Sequence, residues 1–166
     1  MTTTIHESKA GFIANPDSGK VAPKATASLA NGRARVSSGP FNWDVDLPPV
    51  VGGGNQAPSP TAYLLGALAA CAVAFVNDML APEFAVVLDD LSAEARCSTD
   101  LAGLVGVEGV DPRLFSIAMD VTITSPSPAE NVRALEEAWL ARCPIFLALS
   151  EANAVDVTFH LERSAS

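Results

Sequence analysis

The sequence predicts a single domain of the two-layer α+β class. Three observations lead to this prediction. An apolar helical segment runs from Ser59 to Leu80, short segments of alternating polarity lie on both sides of it, and the segments follow the order β-β-β-α-β-β-α-α-β. This order lacks the regular strand–helix alternation that a parallel sheet requires. Residues 1–20 are predicted to be an N-terminal arm, and residues 21–166 are predicted to form the domain.

The first three strands are predicted between residues 21 and 47. Asn31-Gly32 separates the first two, and Asn-Gly between alternating segments is typical of a β-hairpin. In residues 41–47, aromatic and aliphatic side chains alternate with Asn and Asp, which predicts one buried face and one solvated face. Residues 1–20 show no periodicity, so a loose arm or an edge strand is expected there.

The central helix is the most apolar part of the chain. Ser59 is a suitable N-cap, Pro60 fits the first helical position, and Pro82 marks the end. Of the fifteen residues from Ala62 to Val76, all but Tyr63 and Gly66 are Ala, Leu, Val, Phe or Cys. A bilayer span needs about 20 apolar residues. The pattern therefore favours a helix buried in the core of a soluble protein.

The second half of the chain predicts two strands, two helices and a closing strand. The strands lie within residues 86–99 and 113–125, and the first helix ends at Arg142-Cys143-Pro144. A second helix begins at Pro144, and residues 155–163 alternate in polarity as a last strand would.

Composition narrows the classes of function. A net charge of −9 argues against nucleic acid and anionic membranes as partners. An apolar content of 49% predicts a large subunit interface and hence a homo-oligomer. The N-terminus has no secretory signal pattern, and three cysteines without one predict a reducing, cytoplasmic compartment. No metal-ligand spacing or nucleotide-binding glycine motif occurs, so neither a metal nor a cofactor is expected.

The cysteines are the candidates for chemistry. Cys71 lies among apolar neighbours in the central helix, where the simplest interpretation is an inert buried thiol. Cys143 lies between Arg142 and Pro144, where a helix start and a cation favour a thiolate, although a helix kink explains the same residues. Cys97, in a predicted strand, is interpreted as a packing or surface residue. These residues permit a redox pair, but they do not establish that two sulfurs meet.

Two motifs contain these cysteines: SPTAYLLGALAAC, which ends at Cys71, and RCPIFLAL around Cys143. Together they resemble the motifs of the OsmC/Ohr family, the osmotically inducible and organic-hydroperoxide-resistance proteins. GRARVSSGPFNWDVDLPPVVGGG also matches, so the resemblance covers roughly residues 22–162. It implies an OsmC-like fold and an intertwined homodimer, with the Cys-bearing helices at the centre and two active sites at the interface.

The resemblance also implies a reaction. Cys71 would be the peroxidatic cysteine that reduces an organic hydroperoxide, and Cys143 would be the resolving cysteine that forms a disulfide with it. A dithiol reductant of the lipoyl type would then restore both thiols. Because apolar surroundings disfavour a thiolate, a cation is needed beside Cys71.

The sequence departs from the family pattern at one position. Peroxidase members place a Glu directly after the Pro of the first motif, where it orients an Arg, and this chain has Thr61 there. Arg33 is the best match to that Arg, and Arg35 is the second. Two alternatives therefore remain open. One is a redox or thiol–disulfide protein without efficient peroxide turnover, and the other is a non-enzymatic dimer that binds a small molecule.

Overall fold

The computed structural model describes residues 4–151 and 153–162 and shows an α+β arrangement. Two small antiparallel sheets and a set of helices surround one apolar core. The helices are α1 (Ile5–Ala14), α2 (Pro60–Phe75), α3 (Ala81–Glu83), α4 (Leu101–Leu104), α5 (Ala129–Arg142) and α6 (Pro144–Ser150). The strands are β1 (Thr26–Ala30), β2 (Arg33–Ser38), β3 (Phe41–Val45), β4 (Asp90–Ser98) and β5 (Phe115–Thr124).

The first sheet has the order β1-β2-β3 and the second pairs β4 with β5. Asn31 and Gly32 both have positive φ, 52° and 77°, and connect β1 to β2 in two residues. This is the left-handed backbone that a two-residue hairpin requires, so the Asn-Gly signal predicts the turn correctly. The Tyr63 hydroxyl donates a hydrogen bond of 2.9 Å to the Asp44 carbonyl and so ties the first sheet to α2.

The core is built by α2 and the helical turn after it, together with α5 and the second sheet. Every second side chain of β4 is partly buried, and those of Leu91, Ala93 and Ala95 pack against this core. Its buried members come mainly from the helices. They are Leu68, Ala72, Val76, Leu80, Ala81, Val86, Leu135, Trp139 and Cys143.

The central helix continues past α2 through one π-helical turn, Val76–Leu80, into α3. The Ala81 N–H donates to the Val76 carbonyl, five residues earlier. Pro82 has no N–H to donate, and its ring would clash with the carbonyl four residues earlier in a regular α-helix. The wider turn before Pro82 accommodates both constraints.

The 24-residue helix Pro60–Glu83 is long and apolar enough to cross a membrane by length and composition alone. The core helix of a soluble protein meets the same criterion, so this is weak evidence for a membrane span. Only 28% of its most apolar stretch is buried within the chain. The central helix, predicted to be buried, is therefore covered on one side only.

Two secondary-structure predictions are wrong. Residues 5–14 form a helix rather than a loose arm or an edge strand, because Thr4 and Glu7 make a complete capping box at its start. Residues 155–162 form no strand, although they alternate in polarity. A strand needs an edge to pair with, and no described strand pairs with this segment. The last residue of the predicted strand, Arg163, lies outside the described residues.

Candidate active site

The structure brings two of the three cysteines together. Cys71, on α2, and Cys143, between α5 and α6, are 72 residues apart in sequence, and their Sγ atoms lie 3.0 Å apart. Cys143 is fully buried, whereas Cys71 is partly exposed. Of the two sulfurs, Cys71 is therefore the one that a molecule from solvent can reach.

The position of Cys143 follows from its neighbours in sequence. Its N–H donates to the Trp139 carbonyl and completes α5, and Pro144 then begins α6. Cys143 is the single residue between the two helices. Its Sγ accepts a hydrogen bond of 3.5 Å from the Phe146 N–H, as the side chain of an N-cap residue does.

The surroundings of Cys71 disfavour its thiolate. Burial is the main cause that raises the pKa of the Cys71 thiol to about 11, and the hydrogen bond to Cys143 and the charge of that residue contribute to the same rise. The Ile145 backbone N–H lowers this pKa by a smaller amount. A nucleophilic Cys71 therefore needs a cation, and none of the residues that the structure describes contributes a cation to the pKa of this thiol.

Arg142, the cation next to Cys143 in sequence, is engaged in an ion pair with Glu83. The Arg142 guanidinium donates from Nη2 to Glu83 Oε2 at 2.8 Å, and Lys9 Nζ lies 3.5 Å from Oε1 of the same carboxylate. The hydrogen bond from Arg142 holds the pKa of Glu83 below its ordinary value. The guanidinium carbon also lies 5.9 Å from the centre of the Phe75 ring. Sequence reasoning did not find Glu83, because a pairing across 59 residues leaves no local pattern.

The two arginines that were candidates for the site differ in their partners. Arg35 forms an ion pair with Asp44 at 2.9 Å, across the β2–β3 ladder. Arg33 makes no hydrogen bond to either sulfur in the described part of the chain, and its charge contributes to lowering the pKa of Asp46. The structure therefore does not bring Arg33 to Cys71 within one chain.

The loop before α2 is organised by Asp46. Its carboxylate accepts hydrogen bonds from the N–H groups of Leu47, Gly54 and Gln56, which lower its pKa, with the bond from Gln56 as the main cause. Gly53 is required here, because a Cβ at this position would lie 1.9 Å from the Leu47 carbonyl oxygen. This glycine run therefore shapes the loop that leads into α2.

Thr61 lies at a cavity of about 360 Å³ whose walls include Leu47, Leu101 and Leu104. Its surroundings there are largely apolar. The Thr61 side chain therefore has no cation among the residues that line this cavity.

Two apolar cavities flank Trp139 close to the cysteine-bearing elements. One, of about 280 Å³, includes Ala72, and the other, of about 220 Å³, includes Leu68 and Phe146. Neither cavity is lined by a cysteine. Trp139 Nε1 is buried without a hydrogen-bond partner among the described residues.

Cys97 lies apart from the pair, at a β-bulge. The β4–β5 register shifts between Arg96 and Ser98, and Ser116 opposite has a φ of 53°. Among the described residues, no group of three His, Cys, Asp or Glu side chains is placed to hold a metal ion.

Comparison with known proteins gives a consistent result. The family model described as OsmC-like protein matches residues 52–159. No curated protein matches the sequence. The fold is similar to an OsmC-like protein from Mycoplasma pneumoniae, with 24% identity, a TM-score of 0.63 and coverage of 79% of this chain and 89% of the other. It is also similar to an organic hydroperoxide resistance protein, OsmC, from Legionella pneumophila, with 21% identity, a TM-score of 0.58 and coverage of 78% and 89%. A third similar structure is an organic hydroperoxide resistance protein from Elizabethkingia anophelis, with 19% identity, a TM-score of 0.58 and coverage of 78% and 88%.

Proposed function

Because the chain belongs to the OsmC-like protein family, we propose that it is a thiol-dependent peroxidase that reduces organic hydroperoxides. The observation that carries this proposal is the 3.0 Å separation of the Cys71 and Cys143 sulfurs. The names of two similar structures, both organic hydroperoxide resistance proteins, point to the same substrate class.

The reaction has two steps at the sulfurs. The Cys71 thiolate attacks one peroxide oxygen, the O–O bond breaks, and the alkoxide takes a proton and leaves as the alcohol. Cys71 is now a sulfenic acid. The Cys143 thiolate attacks the Cys71 sulfur, an S–S bond forms, and the S–O bond breaks, so that hydroxide leaves and is protonated to water. A dithiol reductant of the lipoyl type then reduces the disulfide and is itself oxidised.

The first step requires a cation that stabilises the Cys71 thiolate and the departing alkoxide. We assign this role to Arg33. Arg35 is held by Asp44, whereas Arg33 is half-buried at the start of β2 and lines a cavity that includes Pro60, the first residue of α2. Arg33 could reach the Cys71 sulfur in two ways. The first sheet could move within one chain, or the first sheet of a second copy could supply its own Arg33.

The preference for organic over inorganic peroxide follows from the apolar surroundings. Cys71 itself lies on α2 among Ala, Leu, Val and Phe residues. An alkyl or aryl group gains free energy on entering such surroundings, whereas hydrogen peroxide has no apolar part to bury.

The proposed active form is a homodimer in the cytoplasm. Four residues at a spacing of four on α2, Ala62, Gly66, Ala70 and Ala74, are exposed in the single chain. Small side chains at this spacing allow a second helix to approach closely. Three free cysteines are suited to a reducing compartment.

The test is a non-reducing peptide mass map of fully reduced protein after one equivalent of cumene hydroperoxide, with hydrogen peroxide in parallel. We expect a Cys71–Cys143 disulfide within seconds, formed faster with the organic peroxide. In Cys143→Ser, Cys71 should accumulate as a sulfenic acid that dimedone traps, and Cys71→Ser should consume no peroxide. If both thiols of the wild-type protein stay free, the peroxidase proposal is wrong.

A second candidate is a thiol–disulfide or redox-sensing protein without efficient peroxide turnover. The raised pKa of Cys71 and the absence of a carboxylate at Thr61 favour it. Such a protein would form the same disulfide when mixed with oxidised lipoate or glutathione, but slowly with peroxide. The adjacent sulfurs favour either redox function over a non-enzymatic dimer that binds a small molecule.

A further inference from the structure

Arg142 is in contact with both elements that carry the cysteine pair. It is the last residue of α5 and is bonded directly to Cys143, and its guanidinium lies 5.9 Å from the ring centre of Phe75. Phe75 follows Cys71 by four residues on α2, which is about one helical turn. Arg142 therefore bridges the two cysteine-bearing segments on one side of the sulfurs.

The guanidinium is fixed from several directions. Nη2 donates to Glu83 at 2.8 Å, Nε donates to the Ala138 carbonyl at 3.4 Å, and the Phe84 ring centre lies 6.0 Å away. The Glu83 side chain is only 14% exposed. Because Glu83 is enclosed and the guanidinium lies against two aromatic rings, this ion pair keeps the Arg142 side chain in one position better than an exposed ion pair would.

The backbone of Cys143 is tied to both helices, because its N–H donates to the Trp139 carbonyl of α5 and its carbonyl accepts from the Leu147 N–H of α6. Since this one residue joins the two helices, the position of its sulfur relative to Cys71 depends on how the end of α5 is held against the central helix. Since α3, which holds Glu83, continues the helix that begins as α2, the ion pair connects the end of α5 back to the element that carries Cys71.

We propose that Arg142 and Glu83 are positioning residues that hold Cys143 against Cys71, and so control how readily the disulfide forms. This inference rests on the proposed redox function of Cys71 and Cys143. It assigns the ion pair to the second step, in which the Cys143 sulfur attacks the Cys71 sulfenic acid and expels hydroxide. It gives the ion pair no role in the attack on peroxide.

The test measures the effective concentration of the two thiols at equilibrium with reduced and oxidised dithiothreitol, which requires no peroxide. Arg142→Met keeps the apolar stem of the side chain on Phe75 but removes the charge. We expect the effective concentration to fall about tenfold, because small misplacements of reacting groups have large effects on proximity. Glu83→Gln, which keeps the size of the side chain, should lower it about threefold.

Lys9→Met is the matched control. Lys9 contacts the same carboxylate but its side chain is 63% exposed, so its removal should leave the effective concentration unchanged. Two results would refute the positioning role. One is an equal fall of the effective concentration in Lys9→Met, and the other is an unchanged effective concentration in both Arg142→Met and Glu83→Gln when circular dichroism shows that both variants are folded.

A peroxide experiment separates the two steps. With one equivalent of cumene hydroperoxide, Arg142→Met should form the sulfenic acid at the wild-type rate and the disulfide about tenfold more slowly. Equal slowing of both steps would mean that Arg142 acts on the peroxide step, against the inference. If wild-type protein does not react with peroxide, the proposed peroxidase function fails, and the dithiothreitol equilibrium still decides the role of Arg142.

Discussion

Cys71 is subject to two opposing requirements. Its partial burial among apolar side chains suits an organic substrate, but the same burial raises the pKa of its thiol to about 11. The hydrogen bond to Cys143 and the charge of that residue are part of this rise. In the proposed reaction, the proximity that prepares the disulfide therefore makes the Cys71 thiolate harder to form, and the attack on peroxide would depend on a cation other than these two cysteines.

This requirement gives a pH prediction. A raised pKa keeps Cys71 protonated at neutral pH, so its alkylation by iodoacetamide should increase as the pH rises toward about 11. If Arg33 supplies the cation, the pH at which Cys71 is alkylated at half its maximal rate should be lower in the wild-type protein than in Arg33→Ala. A peptide mass map of each protein, alkylated at a series of pH values from neutral to alkaline, measures this midpoint.

Arg35→Ala is the control, since Arg35 is already paired with Asp44. It should leave the alkylation profile of Cys71 unchanged. Identical profiles for all three proteins would rule out Arg33 as the thiolate partner. The redox protein without efficient peroxide turnover would then be the better explanation.

At the scale of elements, local sequence signals predicted most of what the structure shows. Ser59 and Pro60 start α2, Asn31-Gly32 turns the first hairpin, and Cys143-Pro144 separates α5 from α6. The helix at residues 5–14 was missed, although Thr4 and Glu7 form a capping box, because its sequence has no apolar stripe.

Features that depend on distant segments could not be predicted in the same way. The proximity of Cys71 and Cys143 was implied only by the family resemblance, since nothing in either segment encodes a contact across 72 residues. The ion pair between Glu83 and Arg142 was missed for the same reason. The closing strand was predicted from alternation alone, but alternation does not provide an edge with which to pair.

The face of α5 that packs on the π-helical turn Val76–Leu80 should dominate the stability of this helical layer. Leu135 is 1% exposed and Leu140 is 51% exposed, although both lie on the same helix. We expect Leu135→Ala to lower the free energy of unfolding by about 3 kcal/mol, because it leaves a cavity. Leu140→Ala should lower it by less than about 1 kcal/mol. Urea denaturation measures both, and equal losses would show that the two side chains are equally enclosed in solution.

The whole molecule leaves an unusual amount of apolar surface uncovered in the single chain. No residue of the first sheet is buried, and Leu29 and Phe41 are 84% and 70% exposed. The C-terminal segment exposes four alternating apolar side chains, Val155, Val157, Phe159 and Leu161. Exposed apolar patches of this kind mark interaction surfaces. The alternation predicted in β3 is not matched by burial in the single chain. In the homodimer that we propose, the second copy would cover the first sheet and α2 together.

The dimer can be tested on α2. Ala70 is exposed in the middle of the small-residue face, so Ala70→Arg should place a long charged side chain where a second helix must approach. Ala141→Arg, on an exposed position of α5, introduces the same side chain away from that face. In sedimentation velocity we expect wild type and Ala141→Arg at twice the 17.2 kDa chain mass and Ala70→Arg at the chain mass. Both variants should keep the helical circular dichroism of the wild type. A wild-type protein that sediments as a single chain would remove the dimer from the proposal, and Arg33 would then have to reach Cys71 within its own chain.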